Sequence, residues 1–395
     1  MLAFHLYFLY HKATGGVYIM LEKFTVAGYK NFKDPITLDF SEVRDYKFNT
    51  ECVNDGLITK FIIYGKNASG KSNLGYALFD IVGVLTDNRT VSGKQSLNFS
   101  KSNLHADSDF SSVSTFSYLF KNGAQRIQYS YEKNVFNTLV TESLELNGKV
   151  IYHYDHTQKD FLTNNLALIA AESLNFAYFS DNLSVLRYIA NNANLTADSP
   201  VRTIMDYVSH MLYFRSVQEN LYMGFTTGDV DVTNWIVEQG KAAEFQKFLN
   251  DVGDIDIKLA LMTNKDTGEK QLIEDHKNRP LFFDEVASSG TKALEWLYYW
   301  SQNFANVSLL YFDEFDAYYH FDLARKVVKF ICRFPNMQTI FTTHNSYLAS
   351  NEVMRPDCYL TLENGKLTSF ADSTSRELRE GHNLEKMLRN GEFNG

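Results

Sequence analysis

The stretch Lys60 to Asn73, KFIIYGKNASGKSN, constrains this chain more than any other. Lys60 to Tyr64 has strand character and enters Gly65-x-x-x-x-Gly70-Lys71-Ser72, followed by a helical pattern from about Ser72 to Val84. That order fits a P-loop, in which backbone N–H groups wrap phosphate oxygens, a lysine reaches the outer phosphates and a hydroxyl holds Mg2+. Glycines are needed because a side chain would keep the backbone off the phosphates. The helix start adds the positive end of its dipole. Gly-rich strand-to-helix turns also occur without a ligand, but the Lys-Ser pair and the preceding apolar strand argue for nucleotide. The pattern predicts ATP and Mg2+ as cofactors, bound by Gly65, Lys66, Asn67, Ala68, Ser69, Gly70, Lys71, Ser72 and Asn73, with Ser72 on the metal.

A second half of the site is expected far along the chain. Ser308 to Asp313, SLLYFD, is followed by Glu314. A hydrophobic strand ending in Asp-Glu delivers two carboxylates to the carboxyl edge of a sheet, where α/β proteins bind ligands. Asp313 is predicted in the Mg2+ shell, with Glu314 polarising the attacking water and Lys71 on the phosphates. Leu281-Phe282-Phe283-Asp284-Glu285 is a rival. The later run is preferred because it is longer and precedes a helical pattern, Ala317 to Arg333. Next comes a strand, Gln338 to Phe341, ending in Thr342-Thr343-His344. One right-handed crossover would place His344 beside Asp313-Glu314. Alone such a histidine is usually a core or capping residue; beside a P-loop it is predicted to touch the γ-phosphate. Ala287 to Lys292, ASSGTK, opens an amphipathic helix running to about Gln302. A Ser/Gly turn there is a second anion site or a plain helix cap, and on these residues alone the cap is the simpler reading.

The 395 residues suffice for two or three lobes, and 45% apolar content indicates a globular protein. Two strands are expected between Met20 and Phe40, with a turn at Lys33-Asp34-Pro35. Residues 87 to 111 read as a polar loop near the nucleotide, and 112 to 155 as antiparallel strands with hairpin turns at Asn122-Gly123 and Asn147-Gly148. His153, Asp155 and His156 read as a wetted hairpin end rather than a metal site. Between 161 and 251, Leu183–Asn194, Val201–Phe214 and Asn234–Leu249 carry helical spacing without sustained heptads. Residues 254 to 262 and 271 to 283 are expected to pair as strands. With 38 basic against 47 acidic residues the net charge is −9, and no dense Lys/Arg run advertises a nucleic-acid surface. A basic groove assembled in three dimensions is left open. Cys52, Cys332 and Cys358 lack metal spacing and read as reduced core thiols, as in a cytoplasmic protein. No apolar run reaches the roughly 20 residues of a membrane span. Residues 1–19 read as a leader or a non-native start.

Taken in order, these motifs resemble ATP-binding-cassette ATPases of the SMC/Rad50/RecF type. More narrowly they resemble the "AAA family" ATP-binding proteins of bacterial anti-phage defence, in abortive-infection, PARIS-like, Septu-like or retron-associated systems. The residues that carry it are 20–40, YGKNASGKSN at 64–73, SSGTKAL at 288–294, LLYFDEFDAYYH at 309–320, FTTHNSYL at 341–348 and NLEKMLRNGEF at 383–393. The resemblance implies an α/β ABC-ATPase head: a P-loop sheet core, parallel or mixed, an antiparallel β lobe and a helical insertion. The expected division is 20–160 for the P-loop half and β lobe, 161–251 for the insertion and 252–395 for the other half of the core. It also implies a homodimer or higher even-numbered oligomer with nucleotide sandwiched head to tail. Ser288 and the Gly290 backbone would then reach the γ-phosphate on the partner's Lys71, Asp316 would lie in the loop crossing the seam, and His344 would be the switch histidine. A separate, nuclease-type effector is the implied partner. A RecF- or Rad50-like role in DNA repair or chromosome maintenance is the alternative. Ala287, Ser289 and Thr291 depart from the transporter signature, which argues against transport.

Overall fold

The computed structural model describes residues 18–86, 104–109, 111–176, 179–180, 183–216, 221–224, 230–265, 268–276 and 279–393. Most of the expected leader and of the loop at 87–111 therefore lies outside the described residues. The chain divides into two compact units, residues 1–41 with 101–208, and residues 42–100 with 209–395. The expected boundaries at 160/161 and 251/252 do not coincide with that division.

The first unit is built on a seven-stranded antiparallel sheet. Its order is Asp160–Asn164, Lys149–Asp155, Leu139–Leu146, Gln125–Lys133, Ser114–Asn122, Ile19–Ala27, Ile36–Asp39. Alternation puts Phe116, Tyr118 and Phe120 on one face with Tyr129 and Tyr131, where Phe116 stacks on Tyr131 at 5.0 Å. The Asn147-Gly148 turn has positive φ at both residues, 52° and 76°, as a two-residue hairpin requires. Helices Val185–Asn192 and Pro200–Ser209 belong to the same apolar layer, Tyr207 meeting Phe120 edge-on at 5.2 Å.

One buried carboxylate organises this unit. Glu142 accepts the hydroxyls of Tyr129, Tyr152 and Ser184 at 3.1, 2.8 and 2.8 Å. It also accepts the N–H groups of Val185 and Leu186 at 2.9 and 3.0 Å, at the start of a helix whose dipole favours an anion. His156 Nε2 lies 3.1 Å from it, with a side chain only 2% exposed. This corrects the expectation of a wetted hairpin end: His153 and Asp155 are half-exposed, but His156 turns inward because Glu142 needs a partner. Among the described residues no cluster of three or more His, Cys, Asp or Glu is arranged to hold a metal ion.

The second unit carries a seven-stranded sheet of order Leu221–Gly224, Met211–Arg215, Leu309–Asp313, Gln338–Thr343, Lys60–Tyr64, Tyr359–Glu363, Lys366–Ser369. The inner five strands are parallel and the two edge strands antiparallel. Every residue of KFIIY, LLYFD and QTIFTT is buried, as parallel strands covered on both faces must be. A helix was expected over Val201–Phe214; instead the helix stops at Ser209 and Met211–Arg215 enters the core sheet as a strand. An unbroken apolar run satisfies helix and buried strand alike, so periodicity alone could not separate them. Residues 161–251 are therefore not a purely helical insertion, since Asp160–Asn164 is also a strand. Leu259–Thr263, Lys270–Asp275 and Pro280–Phe282 form a small antiparallel sheet. The rival Asp284-Glu285 falls in a short helix, Phe283–Val286, and not at the edge of the parallel sheet. Cys52, Cys332 and Cys358 are buried and unbridged. Among the described residues no helix is long and apolar enough to cross a membrane.

The expected P-loop helix is two pieces, Lys71–Leu78 and Asp80–Leu85, meeting at Phe79. It lies on a pair of stacked tyrosines, Tyr213 and Tyr311, whose rings are 5.5 Å apart and 4° from parallel. Gly75 permits this approach: a Cβ there would lie 2.6 Å from the Tyr311 ring and 2.9 Å from that of Tyr213. Gly75→Ala is expected to lose about 1–3 kcal/mol through overpacking, read as a lowered midpoint in urea or thermal unfolding. An unchanged midpoint would show that the ring pair gives way.

Candidate functional site

The site lies at the carboxyl edge of the parallel sheet. Strand Lys60–Tyr64 ends in a turn in which Ser69 N–H bonds Lys66 C=O at 3.1 Å, Ala68 has φ +63° and Gly70 has φ +106°. Only the residue without a Cβ adopts the last conformation readily, which is why Gly70 precedes the helix. Lys66, Asn67 and Ala68 are exposed, Gly65, Ser69, Ser72 and Asn73 half-buried, and Gly70 and Lys71 buried. Lys71 Nζ donates to Gly65 C=O at 2.7 Å and Lys66 C=O at 3.2 Å, and lies 3.0 Å from His344 Nε2. Burial holds the Lys71 pKa below its usual value, against the pull of Asp313 and Glu314. Partial desolvation and then the Lys71 ammonium hold His344 below the usual histidine range, so a neutral imidazole accepts from the lysine.

Asp313 is fully buried and hydrogen-bonded through both carboxylate oxygens. Its Oδ2 accepts from Ser72 Oγ at 2.7 Å and Tyr213 OH at 2.8 Å, and its Oδ1 from Thr342 Oγ1 at 2.6 Å. Thr342 in turn accepts from Glu314 N–H at 2.8 Å. Glu314 therefore leaves the strand with φ +47°, a conformation that costs a residue of its kind energy. Tyr311 OH donates to Lys71 C=O at 2.6 Å, tying the strand to the helix start. Ser72 Oγ and Asp313 Oδ2 are hard oxygen donors within one hydrogen bond of each other, a donor set that fits Mg2+ at a P-loop. The structure thus brings Lys71, Ser72, Asp313, Glu314 and His344 together.

Asp316 is half-buried and tied to its own chain, accepting from Thr343 Oγ1 at 2.7 Å; burial pushes its carboxyl above the ordinary aspartate value. Ser288 is exposed and caps helix Ser289–Ser301, its Oγ accepting from Thr291 N–H at 3.1 Å. The simple cap reading of this serine is therefore realised. Gly290 lies with its Cα edge toward Tyr318 C=O, where a Cβ would come to 3.0 Å. None of the hydrogen bonds of Ser288 reaches the P-loop.

The helix that Ser288 caps carries a buried acid. Glu295 is 4% exposed, and burial pushes its carboxyl up to about 7. Thr233 Oγ1 lies 2.5 Å from Glu295 Oε1 and 2.7 Å from Asp284 Oδ1. One hydroxyl proton serves only one of these oxygens at a time, and the charge of nearby Asp284 adds to the upward push of burial on Glu295. A raised folded pKa means that this group stabilises the fold below the unfolded value of 4.5, and that the benefit fades as pH rises through about 7. Glu295→Gln, a mimic of the protonated acid, is expected to raise stability at pH 8 by on the order of 1–3 kcal/mol. The difference from wild type should vanish only below about pH 4, where the wild-type carboxyl is protonated in both states, in parallel unfolding curves.

Thr342, Tyr213, Tyr311 and Arg215 escaped the sequence reading. Thr342 was visible within the Thr-Thr-His run, but its bridging role was not. Tyr213 falls within the helical spacing expected over Val201–Phe214, Arg215 just past its end, and Tyr311 within the strand expected at Ser308–Asp313. Tyr213 pairs in register with Tyr311 and Arg215 with Asp313 only because two segments nearly 100 residues apart become neighbours.

The model of the family described as "AAA domain, putative AbiEii toxin, Type IV TA system" matches residues 60–350. No curated protein matches the chain. Among solved structures it is similar to the SMC head domain from Thermotoga maritima, with 16% identity and TM-score 0.44 over 91% of this chain and 100% of that one. It is similar also to an Smc head domain with a coiled coil and joint from Pyrococcus yayanosii, with 12% identity and TM-score 0.46 over 94% and 99%. A third similarity is to an Smc head domain with an extended coiled coil, bound to the C-terminal domain of ScpA and derived from Pyrococcus furiosus. There the identity is 13% and the TM-score 0.40, over 94% and 98%.

Proposed function

The chain belongs to this AAA_21 family, and on that premise we propose that it is a Mg2+-dependent ATPase that dimerises head to tail on ATP. In this reading it senses or scaffolds, and thereby regulates, a separate effector in anti-phage defence. The observation that carries the reading is the meeting of Lys71, Ser72, Asp313, Glu314 and His344 at one sheet edge, at or just past the ends of strands that are parallel neighbours. Lys71 would exchange its carbonyl partners for phosphate oxygens, Glu314 would orient and deprotonate water, and neutral His344 would contact the γ-phosphate. Mg2+, held by Ser72 and Asp313, supplies neutralisation of phosphate charge when bound.

Dimerisation is supported by the surface position of Ser288 and the half-exposed Gly290 at a helix start. Closing such a start over a partner's γ-phosphate would add charge-assisted contacts of about 1–3 kcal/mol each. The family's description as part of a toxin–antitoxin system supports work alongside a second gene product. The net charge of −9 favours this over the DNA-repair alternative.

Light scattering with a fluorescent ATP analogue tests the reading. Lys71→Ala is expected to weaken nucleotide binding by about 10- to 100-fold, because it removes a charge-assisted contact. Ser288→Arg is expected to bind normally yet remain monomeric. Unchanged binding by Lys71→Ala contradicts the site, and dimers of Ser288→Arg contradict the seam. Turnover raised strongly by duplex DNA, and lost with salt, would favour the repair reading. Cell arrest by this chain alone would remove the separate effector.

A further inference from the structure

Arg215 ends the strand Met211–Arg215, in register with Asp313, at the same sheet edge as the nucleotide motifs. Its side chain is 18% exposed and faces Asp313, Glu314 and Tyr76. Nε lies 3.6 Å from Asp313 Oδ2, one terminal nitrogen lies 3.9 Å from Glu314 Oε2, and the other donates to Tyr76 OH at 3.1 Å. Tyr76 belongs to the P-loop helix and packs on Tyr213 at 5.5 Å. The arginine thus joins the helix whose start would hold phosphate to both carboxylates that would hold metal and water.

The hydrogen bonds of Asp313 are already supplied by Ser72, Tyr213 and Thr342, so the arginine adds charge there rather than a bond. At Glu314, whose side chain is 30% exposed, a cation on one side limits where the carboxylate turns. Planar geometry matters: a guanidinium faces two acids and a hydroxyl at once, which a lysine ammonium on a flexible stem does not.

We propose that Arg215 is a positioning residue that holds Glu314 in place and sets how strongly the carboxylate pair attracts a divalent cation. The proposal rests on the nucleotide reading above and extends it to a residue outside the P-loop and Asp-Glu motifs. With Arg215 and Lys71 facing Asp313 and Glu314, two positive charges oppose two negative ones. A cation arriving without nucleotide therefore meets a balanced site, and phosphate charge tips the balance toward metal.

The test compares Arg215→Met, Arg215→Lys and Tyr76→Phe with wild type. Nucleotide binding is followed with the fluorescent ATP analogue across a Mg2+ titration, and kcat and KM are measured separately. Arg215→Met is expected to lower kcat by about 10- to 100-fold with KM changed less than about 3-fold, the signature of a group acting on the reacting arrangement. Its Mg2+ half-saturation should fall by about 3- to 10-fold, because an opposing charge is gone. Arg215→Lys should restore the Mg2+ half-saturation but not kcat. Tyr76→Phe keeps the charge and should keep the wild-type Mg2+ response. Wild-type values of both kcat and Mg2+ half-saturation in Arg215→Met overturn the proposal. So does a Tyr76→Phe variant that reproduces the whole Arg215→Met pattern, since the role would then be support of the helix. Thermal unfolding of each variant separates these outcomes from misfolding, with Arg215→Lys carrying the kcat comparison should Arg215→Met not fold. A wild-type protein that binds no Mg2+·ATP overturns this proposal together with the reading beneath it, whereas the Arg215 outcomes leave that reading intact.

Discussion

Replacing Glu314 by glutamine is expected to cut ATP turnover by roughly 10²- to 10⁴-fold, the usual contribution of a positioned general base. Nucleotide affinity should stay within a few-fold of wild type. Glutamine keeps the length and hydrogen-bonding reach of the side chain but cannot take a proton from water. The backbone there is held independently of the carboxylate: Glu314 N–H bonds Thr342 Oγ1, and the same hydroxyl donates to Asp313. The left-handed φ of +47° is thereby imposed by the neighbouring strand end. Strained backbone of this kind, of order 1–3 kcal/mol, survives where the surroundings over-determine it. Lys71 and Ser72 are untouched by the substitution, so phosphate binding has no reason to fail. Phosphate release under saturating Mg2+·ATP reads the rate, and the fluorescent analogue reads affinity. A rate within 5-fold of wild type would remove Glu314 from the role of base.

Glu142→Leu is expected to destabilise the first unit by about 3–5 kcal/mol, the scale for removing one partner from a buried charged network. For a unit of this size that corresponds to a fall in melting temperature of roughly 6–20 °C. Five donors plus His156 converge on this one carboxylate, and most of them would be buried without an acceptor, Tyr129 and Ser184 keeping only each other at 3.3 Å. Burial pushes the Glu142 carboxyl up, but His156 and the N–H groups of Leu186 and Val185 outweigh it and hold it below the ordinary glutamate value of 4.5. A depressed folded pKa contributes stability that is fully present above 4.5 and is lost as pH falls through the folded value. Wild-type protein should therefore lose stability more steeply than Glu142→Leu in this acid range. Equal slopes in acid unfolding curves would show that the carboxylate is not the anionic centre of the unit.

The groups that meet at the sheet edge were legible one by one because their signals are local. A P-loop needs particular residues at fixed spacing within one turn, and an Asp-Glu pair closing an apolar strand needs only its own segment. The Asn147-Gly148 hairpin is equally local, since positive φ at two adjacent positions selects those residues directly. The choice of Asp313-Glu314 over Asp284-Glu285 as the strand-end pair followed from run length, and the alternative pair lies in the helix Phe283–Val286.

What the linear chain determined about this protein is which groups each short motif offers: a Gly-rich strand-to-helix turn, a lysine, a hydroxyl, paired acids and a histidine. What only the tertiary structure decided is which distant groups complete those motifs. Met211–Arg215 became a core strand, which put Arg215 against Asp313 and Glu314, Tyr213 on Asp313 and the Tyr213–Tyr311 pair under Gly75. Likewise His156 left the surface for Glu142. The physical reason is the same in each case. A buried parallel strand and a buried helix bury the same apolar side chains, so their periodicities do not separate them. A buried charge finds its partner through sheet register, which is set by packing across the whole unit and not by neighbours in the chain.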